Sequence, residues 1–323
     1  MTPKVTDQSS CVIGIDVGGT KIAAGLVVFP RAEVLVRRLI PTCADRTGEE
    51  VLGSTLELAA GLVQEAQRDG RKVAGIGLGV AELVNGRGEI TSGHTIHWQG
   101  LAVQDRLSAL APAAVEADVR AAALGEALYG AARGCRDVVY VSVGTGISYS
   151  LVQDGRPYAG ARGNALILAS SPMTHSCSNC GRRSTQVLED FASGRAIGLR
   201  YSTRAGGGSY RGEDVMRLAD QEDGIAIEIV ETAGEALGVA VGFLVNILDP
   251  EVVVIGGGLG LCGGRYWECF VESARQHIWA EDSRQVPIVT AALGRDAGVV
   301  GAAAAFLEPG KMRRAPNGPN AER

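Results

Sequence analysis

Three glycine turns in this chain have the residue types that gripping a phosphate requires. The first is Asp16-Val17-Gly18-Gly19-Thr20-Lys21, placed between the apolar runs 11–15 and 22–29. Adjacent glycines in a tight turn let backbone N–H groups approach an anion with no Cβ in the way. Thr20 adds a hydroxyl donor and Lys21 a cation, and Asp16 can hold a metal-bound water or polarise Mg2+. The second turn, Gly144-Thr145-Gly146, repeats this logic between runs 137–143 and 147–153. The third, Gly256-Gly257-Gly258, follows Asp249-Pro250 and the buried run 252–255, and offers bare backbone to an adenine and its ribose. One glycine turn alone is more often structural than functional. Three of them at strand ends, two in duplicated settings, point to a nucleotide, although neither a Walker A loop nor a Rossmann fingerprint is present.

The elements that must carry these turns follow from hydrophobic periodicity. Residues 11–15 and 22–29 form a β-hairpin, with a third strand at 32–41. A helix at 49–68 places Leu56, Leu58, Ala59 and Leu62 on or near one face, and 73–80 is a buried strand ending beside Gly79. The polar, turn-rich stretch 82–98 is a substrate loop. A short strand at 114–119 precedes a helix at 121–133, and the strand–turn–strand pattern then restarts at 137–153. Residues 196–218 read as irregular, 224–247 as a long buried helix, 252–255 and 286–291 as strands, and 297–307 as the last helix. The repeated strand–glycine turn–strand unit implies two similar α/β halves facing a cleft. The expected division is a small domain, 1–117 with the helix 297–308, and a large domain, 118–296. A tail at 309–323, poor in apolar residues, is expected to be disordered.

Composition narrows the class. The chain has 323 residues, 46% apolar and 21% charged, enough to build a large core, and its net charge of −5 argues against a nucleic-acid surface. No run of about 18 apolar residues suggests a membrane span, and the polar first ten residues do not read as a signal peptide. Seven cysteines, an odd number without framework spacing, suit a reducing cytoplasm.

The run Gly14-Ile15-Asp16-Val17-Gly18-Gly19-Thr20-Lys21 resembles the first phosphate motif of the ROK family (repressors, open reading frames, kinases). Asp118-Val119-Arg120-Ala121-Ala122-Ala123-Leu124-Gly125-Glu126 is similar to the family's catalytic-Asp motif, and Val143-Gly144-Thr145-Gly146-Ile147 to its second phosphate motif. Leu188-Glu189 with Ala192-Ser193-Gly194, the Asp249-Pro250 to Gly258 segment, and Leu293-Gly294 with Ala297-Gly298 agree in order. The resemblance implies an α/β actin-like ATPase (ribonuclease H-like) fold and a sugar kinase using ATP and Mg2+. It makes Asp118 the general base that takes a proton from a sugar hydroxyl, usually the one on C6. A helix N-cap ahead of Ala121 is an equally physical role for Asp118.

The sugar half departs from the family pattern. Thr95-Ile96-His97-Trp98 stands where relatives carry Asn-Leu before Trp, and Ala117 where they carry Asn. Leu166-Ile167-Leu168-Ala169-Ser170 replaces Gly-Glu-Ile-Gly-His, so Ile167 stands for a sugar-binding Glu and Ser170 for a His that touches both sugar and zinc. The candidate substrate set is therefore Gly79, His94, Thr95, Asp118 and Glu189, with Glu82 and His97 as further polar groups. Losing several hydroxyl partners argues against plain glucose and for a modified hexose; relatives outside central metabolism include kinases of amino sugars such as kanosamine. The family's zinc loop needs one His and three Cys, and only His175, Cys177 and Cys180 are available, with Thr185 or Gln186 near the third Cys position, so no zinc is expected. Relatives are often dimers, and a homodimer is the expectation here. The alternative function is a non-catalytic sugar or nucleotide sensor derived from such a kinase.

Overall fold

A computed structural model describes residues 10–43, 45–176 and 180–308; the side chain of His175 is outside that description. Cys177 and the tail 309–323 also lie outside it. In chain order the elements begin β1 (Ser10–Val17), β2 (Lys21–Phe29), β3 (Glu33–Pro41), α1 (Gly48–Arg68), β4 (Val73–Val80), α2 (Val103–Ser108), β5 (Ala113–Ala117) and α3 (Asp118–Tyr129). They continue with β6 (Val138–Val143), β7 (Ile147–Gln153), β8 (Arg156–Pro157), β9 (Pro172–Ser176), β10 (Arg183–Val187), α4 (Glu189–Ala192) and α5 (Gly194–Arg204). The last are α6 (Gly212–Asp220), α7 (Gly224–Leu248), β11 (Val252–Gly256), α8 (Gly264–His277), β12 (Ile288–Thr290) and α9 (Ala297–Leu307).

The chain divides into two compact units. In the first the sheet order is β3–β2–β1–β4–β5, with β1 and β2 antiparallel and β1, β4 and β5 mutually parallel. Ile13, Ile15, Leu26, Ile76 and Leu78 fill its core. Thr47 starts α1 with a capping box: its hydroxyl accepts from the Glu50 N–H at 3.3 Å, and Glu50 Oε2 accepts from the Thr47 N–H at 2.7 Å. Helix α9 is built almost wholly of Ala, Gly and Val and lies flat on β1 and β4, because Gly14 and Gly77 leave no side chain between sheet and helix.

This packing moves a domain boundary. The sequence placed 118 onwards in the large domain, whereas the first unit runs to Gly130 and takes in Gly155–Ala165 and the chain from Asp296. Helix α3 belongs to it because Gly125 abuts Gly301 of α9; a Cβ on Gly125 would meet the Gly301 Cα at 3.0 Å. The 155–165 segment belongs to it because buried Arg120, paired with Glu116, donates to the carbonyls of Gly163 at 2.8 Å and Val84 at 2.5 Å.

The second unit repeats the plan. Its sheet runs β12–β11–β6–β7, with β6 and β7 antiparallel and β6, β11 and β12 parallel, matching β5–β4–β1–β2. Asp223 caps the 25-residue α7 by accepting from the Ala226 N–H at 2.9 Å, and Gly234, Gly238 and Gly242 let α8 pack close along it. The stretch expected to be irregular contains α5 and α6. Ser193 caps α5 through the Ala196 N–H at 3.2 Å, and Asp214 accepts from the Arg211 N–H at 3.0 Å at the start of α6. Among the described residues, no helix is long and apolar enough to cross a membrane.

Candidate active site

In the first unit β1, β4 and β5 end together, at the edge where parallel sheets commonly hold ligands. Register pairs Asp16 with Gly79, and Gly79 with Glu116, so Asp118 begins α3 one residue beyond the end of β5. A Cβ on Gly79 would meet the Asp118 Cα at 3.3 Å; the contribution of Gly79 is room for that residue. The N-cap of α3 is Ala117, which makes no side-chain cap, and Asp118 is the first helical residue. Its Oδ1 accepts from the Val119 N–H at 2.7 Å.

Asp16 and Asp118 interact electrostatically. Burial pushes the Asp118 carboxyl up to about 7, and the neighbouring Asp16 and Glu82 charges push the same way against the Val119 N–H and Arg120. Burial likewise raises Asp16 to about 6, with Lys21 opposing. Two carboxylates held near neutrality at the ends of parallel strands are suited to proton transfer and to cation binding. Asp16 lies under the first turn of α9, where Gly298 leaves space: a Cβ there would overlap its carboxylate.

The first phosphate turn is closed by the Gly18 N–H to the Lys21 carbonyl, 3.0 Å, and braced by the Thr42 hydroxyl on the Gly18 carbonyl, 2.6 Å. Thr20 and Lys21 are exposed on it. Thr95 lies over this turn, since a Cβ on Gly19 would come within 2.8 Å of the Thr95 methyl carbon. His94 and Thr95 are exposed on the same loop, and their backbone N–H groups both donate to Glu82. The structure thus gives Glu82 a use other than a sugar contact. His97 is exposed with φ 62°, and its Nδ1 donates to the Gly93 carbonyl at 2.7 Å.

The overlap between Gly19 and Thr95 yields a prediction. Gly19→Ala is expected to raise the sugar KM several-fold, and Thr95→Ser, which removes the opposing methyl, is expected to restore it in the double variant. Steady-state kinetics on the four proteins checks this; additive rather than compensating effects would contradict the contact.

In the second unit the Gly144-Thr145-Gly146 turn connects β6 to β7. Its Gly144 carbonyl accepts from the Gly194 N–H at 2.8 Å, at the start of α5. Glu189 lies against the turn: its Oε2 accepts from the Ile147 N–H at 2.8 Å and fills the space a Gly146 side chain would need. The three glycines at the end of β11 and just beyond it have different reasons. Gly256 makes room for the Tyr140 hydroxyl, Gly257 has φ 80° with its α-carbon against the Val143 backbone, and only Gly258 is open, with Glu213 Oε1 4.0 Å from an added Cβ. The bare surface expected from all three is therefore confined to Gly258 and Gly144, whose nearest approach to an added Cβ is the Gly258 nitrogen at 3.9 Å.

Of the zinc candidates, Cys177 and the His175 side chain lie outside the described residues, and Cys180 is exposed. Sequence reasoning missed Gly298 beneath Asp16, the role of Glu82, and the N-termini of α5 and α6 at Gly194 and Gly212. The Ser193-Gly194 and Gly212-Glu213-Asp214 stretches carry helix-start signals.

The fold is that of the actin-like ATPases, α/β with a duplicated sheet plan. A structure of a ROK-family glucokinase from Streptomyces griseus, in complex with glucose and AMPPNP, superposes with a TM-score of 0.79 at 27% identity, covering 91% of this chain and 98% of that one. The glucokinase of Streptomyces coelicolor is 30% identical over 92% of this chain and 98% of its own length. The bifunctional enzyme NanE/NanK of Brucella melitensis is 34% identical over 91% of this chain and 54% of its own length. The ROK family model matches residues 12–308, and the chain belongs to the ROK family.

Proposed function

We propose that this chain transfers the γ-phosphoryl group of ATP to the primary hydroxyl of a hexose, an amino sugar before plain glucose, with Asp118 as general base. The reaction class, ATP-dependent phosphorylation of a sugar, rests on the family, on full-length similarity to a glucokinase, and on similarity to about half of a bifunctional NanE/NanK enzyme. The observation that carries the mechanism is Asp118, raised to about 7 beside Asp16 at the strand ends. A base of that pKa is ionised in good part at neutral pH and still accepts a proton readily. Transfer to a hydroxyl needs little more than positioning and charge neutralisation, so one aimed carboxylate suffices.

The first unit carries the base, Asp118, with Gly79 against it, and the exposed His94 and Thr95 on the loop after β4 as candidate acceptor contacts. In the second unit, Gly144–Gly146 and Gly258 are the proposed nucleotide contacts, with Glu189 setting the turn. Asp16 would hold Mg2+, which neutralises charge on the phosphates. The fit is physical: a surrounded carboxylate raised to about 6, opposed by Lys21, gains from a cation. An amino sugar is favoured because Ala117 and Ile167 replace hydroxyl-reading residues, and because the carboxylates of Asp16, Glu82 and Asp118 make the acceptor end acidic. A homodimer remains part of this reading.

A coupled ADP-release panel of glucose, N-acetylmannosamine, glucosamine and kanosamine tests the proposal. An amino sugar is expected to exceed glucose by about tenfold in kcat/KM. Glucose ahead of every amino sugar would refute the substrate class, and sugar binding without ADP release would favour the sensor.

A further inference from the structure

Glu82 sits just past β4 and is 7% exposed. Its Oε1 accepts from the backbone N–H groups of Thr95 at 2.7 Å, Ile96 at 2.6 Å and His97 at 3.3 Å. Its Oε2 accepts from the His94 N–H at 3.0 Å and from the Ser92 hydroxyl. Burial by itself would raise this carboxyl, but the donated hydrogen bonds prevail and hold it below the usual carboxylate range. Four successive N–H groups converging on one point are what a chain turn offers to an anion, and here the anion is part of the chain. Just beyond the loop, buried Trp98 donates its indole N–H to the Gly48 carbonyl at 2.8 Å. Between those two fastenings His94 and Thr95 remain exposed, with the Thr95 methyl over Gly19.

We propose that Glu82 is the positioning residue of the acceptor loop: by gathering the Ser92 hydroxyl and the N–H groups of 94–97 it fixes where His94 and Thr95 stand, and so sets sugar affinity. The inference rests on reading that loop as the acceptor-binding segment. A charged acceptor oxygen satisfies several donors at once, which an amide of the same shape does not, since its NH2 faces N–H groups. Loosening the loop weakens the ground-state hold on the sugar, whereas Asp118, on α3, keeps its place. The expected signature is therefore in KM for the sugar rather than in KM for ATP.

The test measures steady-state kinetics and amide hydrogen exchange on Glu82→Gln, Glu82→Asp and Ser92→Ala in the full chain. Glu82→Gln is expected to raise the sugar KM by about tenfold or more, leave the ATP KM within about threefold, and abolish exchange protection at 94–97. Glu82→Asp is expected to recover part of both, and Ser92→Ala, which removes one donor of five, to shift them in the same direction by less. An unchanged sugar KM, an equal rise in both KM values, or intact protection at 94–97 in Glu82→Gln overturns the proposal. Should the wild type phosphorylate no sugar, the functional reading fails separately, and exchange at 94–97 still decides whether Glu82 holds the loop. If Glu82→Gln does not fold, Ser92→Ala carries the decision: unchanged sugar KM and unchanged exchange overturn it.

Discussion

Asp118→Asn is expected to reduce sugar phosphorylation by at least about a thousandfold while making the protein more stable at pH 8. The loss follows from removing the only proton acceptor the proposed mechanism has; the amide keeps the oxygen that receives the Val119 N–H, so the start of α3 is undisturbed. The gain follows from linkage. The folded carboxyl titrates near 7 and the unfolded one near its ordinary value of 3.8, so the folded state binds more protons between those limits. Stability therefore falls as pH rises from about 4 to about 7, and the penalty is fully present above that range. Asn carries no such penalty. With solvent screening allowed for, the variant gains on the order of 2 kcal/mol at pH 8 and little at pH 4. Calorimetry at both pH values, with turnover measured in parallel, checks both halves. Turnover within tenfold of wild type would refute Asp118 as the base. In the wild type, kcat/KM for the sugar is expected to rise with pH through about 7, since the proton must leave Asp118 before it can act.

The parts of this site that were legible in the sequence are local. A glycine pair between two apolar β-rich runs defines a hairpin turn through neighbouring residues alone, and β1, β2, β6 and β7 lie where the pattern placed them. Helix α9 is the same case, an uninterrupted run of small apolar residues matching 297–307. Helix α8 was missed because it opens at Gly263, with φ 68° and no side-chain cap, so no start signal precedes it. Helices α5 and α6 were hidden by Gly206, Gly207 and Gly208, which break the periodicity between them. The reasons for individual glycines were not legible at all. Gly19 looks like a phosphate-turn residue, yet the structure adds Thr95, 76 residues on, as a neighbour that forbids a side chain. Glu82 reads from sequence as a further polar group for the sugar, and only the folded loop shows the backbone donors it collects. Such demands come from chain segments brought together by packing, and no window of sequence contains both partners.

Gly298 shows the same principle at the carboxylate opposite Asp118, and its replacement has the second large expected effect. Gly298→Ala adds one methyl group where the Asp16 carboxylate now lies, so that carboxylate must swing aside or α9 must lift from β1. Lifting is opposed by the flat seating of α9 on Gly14 and Gly77, whose missing side chains leave the helix backbone in contact with the sheet. Helix propensity itself favours Ala over Gly by about 1 kcal/mol, so the helix has no reason to unravel. Displacement of Asp16 is therefore the expected response. If Asp16 holds the Mg2+ as proposed, a shift on the order of 1 Å in its carboxylate costs about a hundredfold in rate. The variant is expected to keep its cooperative thermal transition, to lose about a hundredfold in kcat, and to require more Mg2+ for half-maximal rate. The Mg2+ requirement separates this from general damage: a lower kcat at an unaltered Mg2+ requirement would mean that Asp16 is not the group holding the cation. Activity within twofold of wild type would mean that the space above Asp16 has no part in transfer.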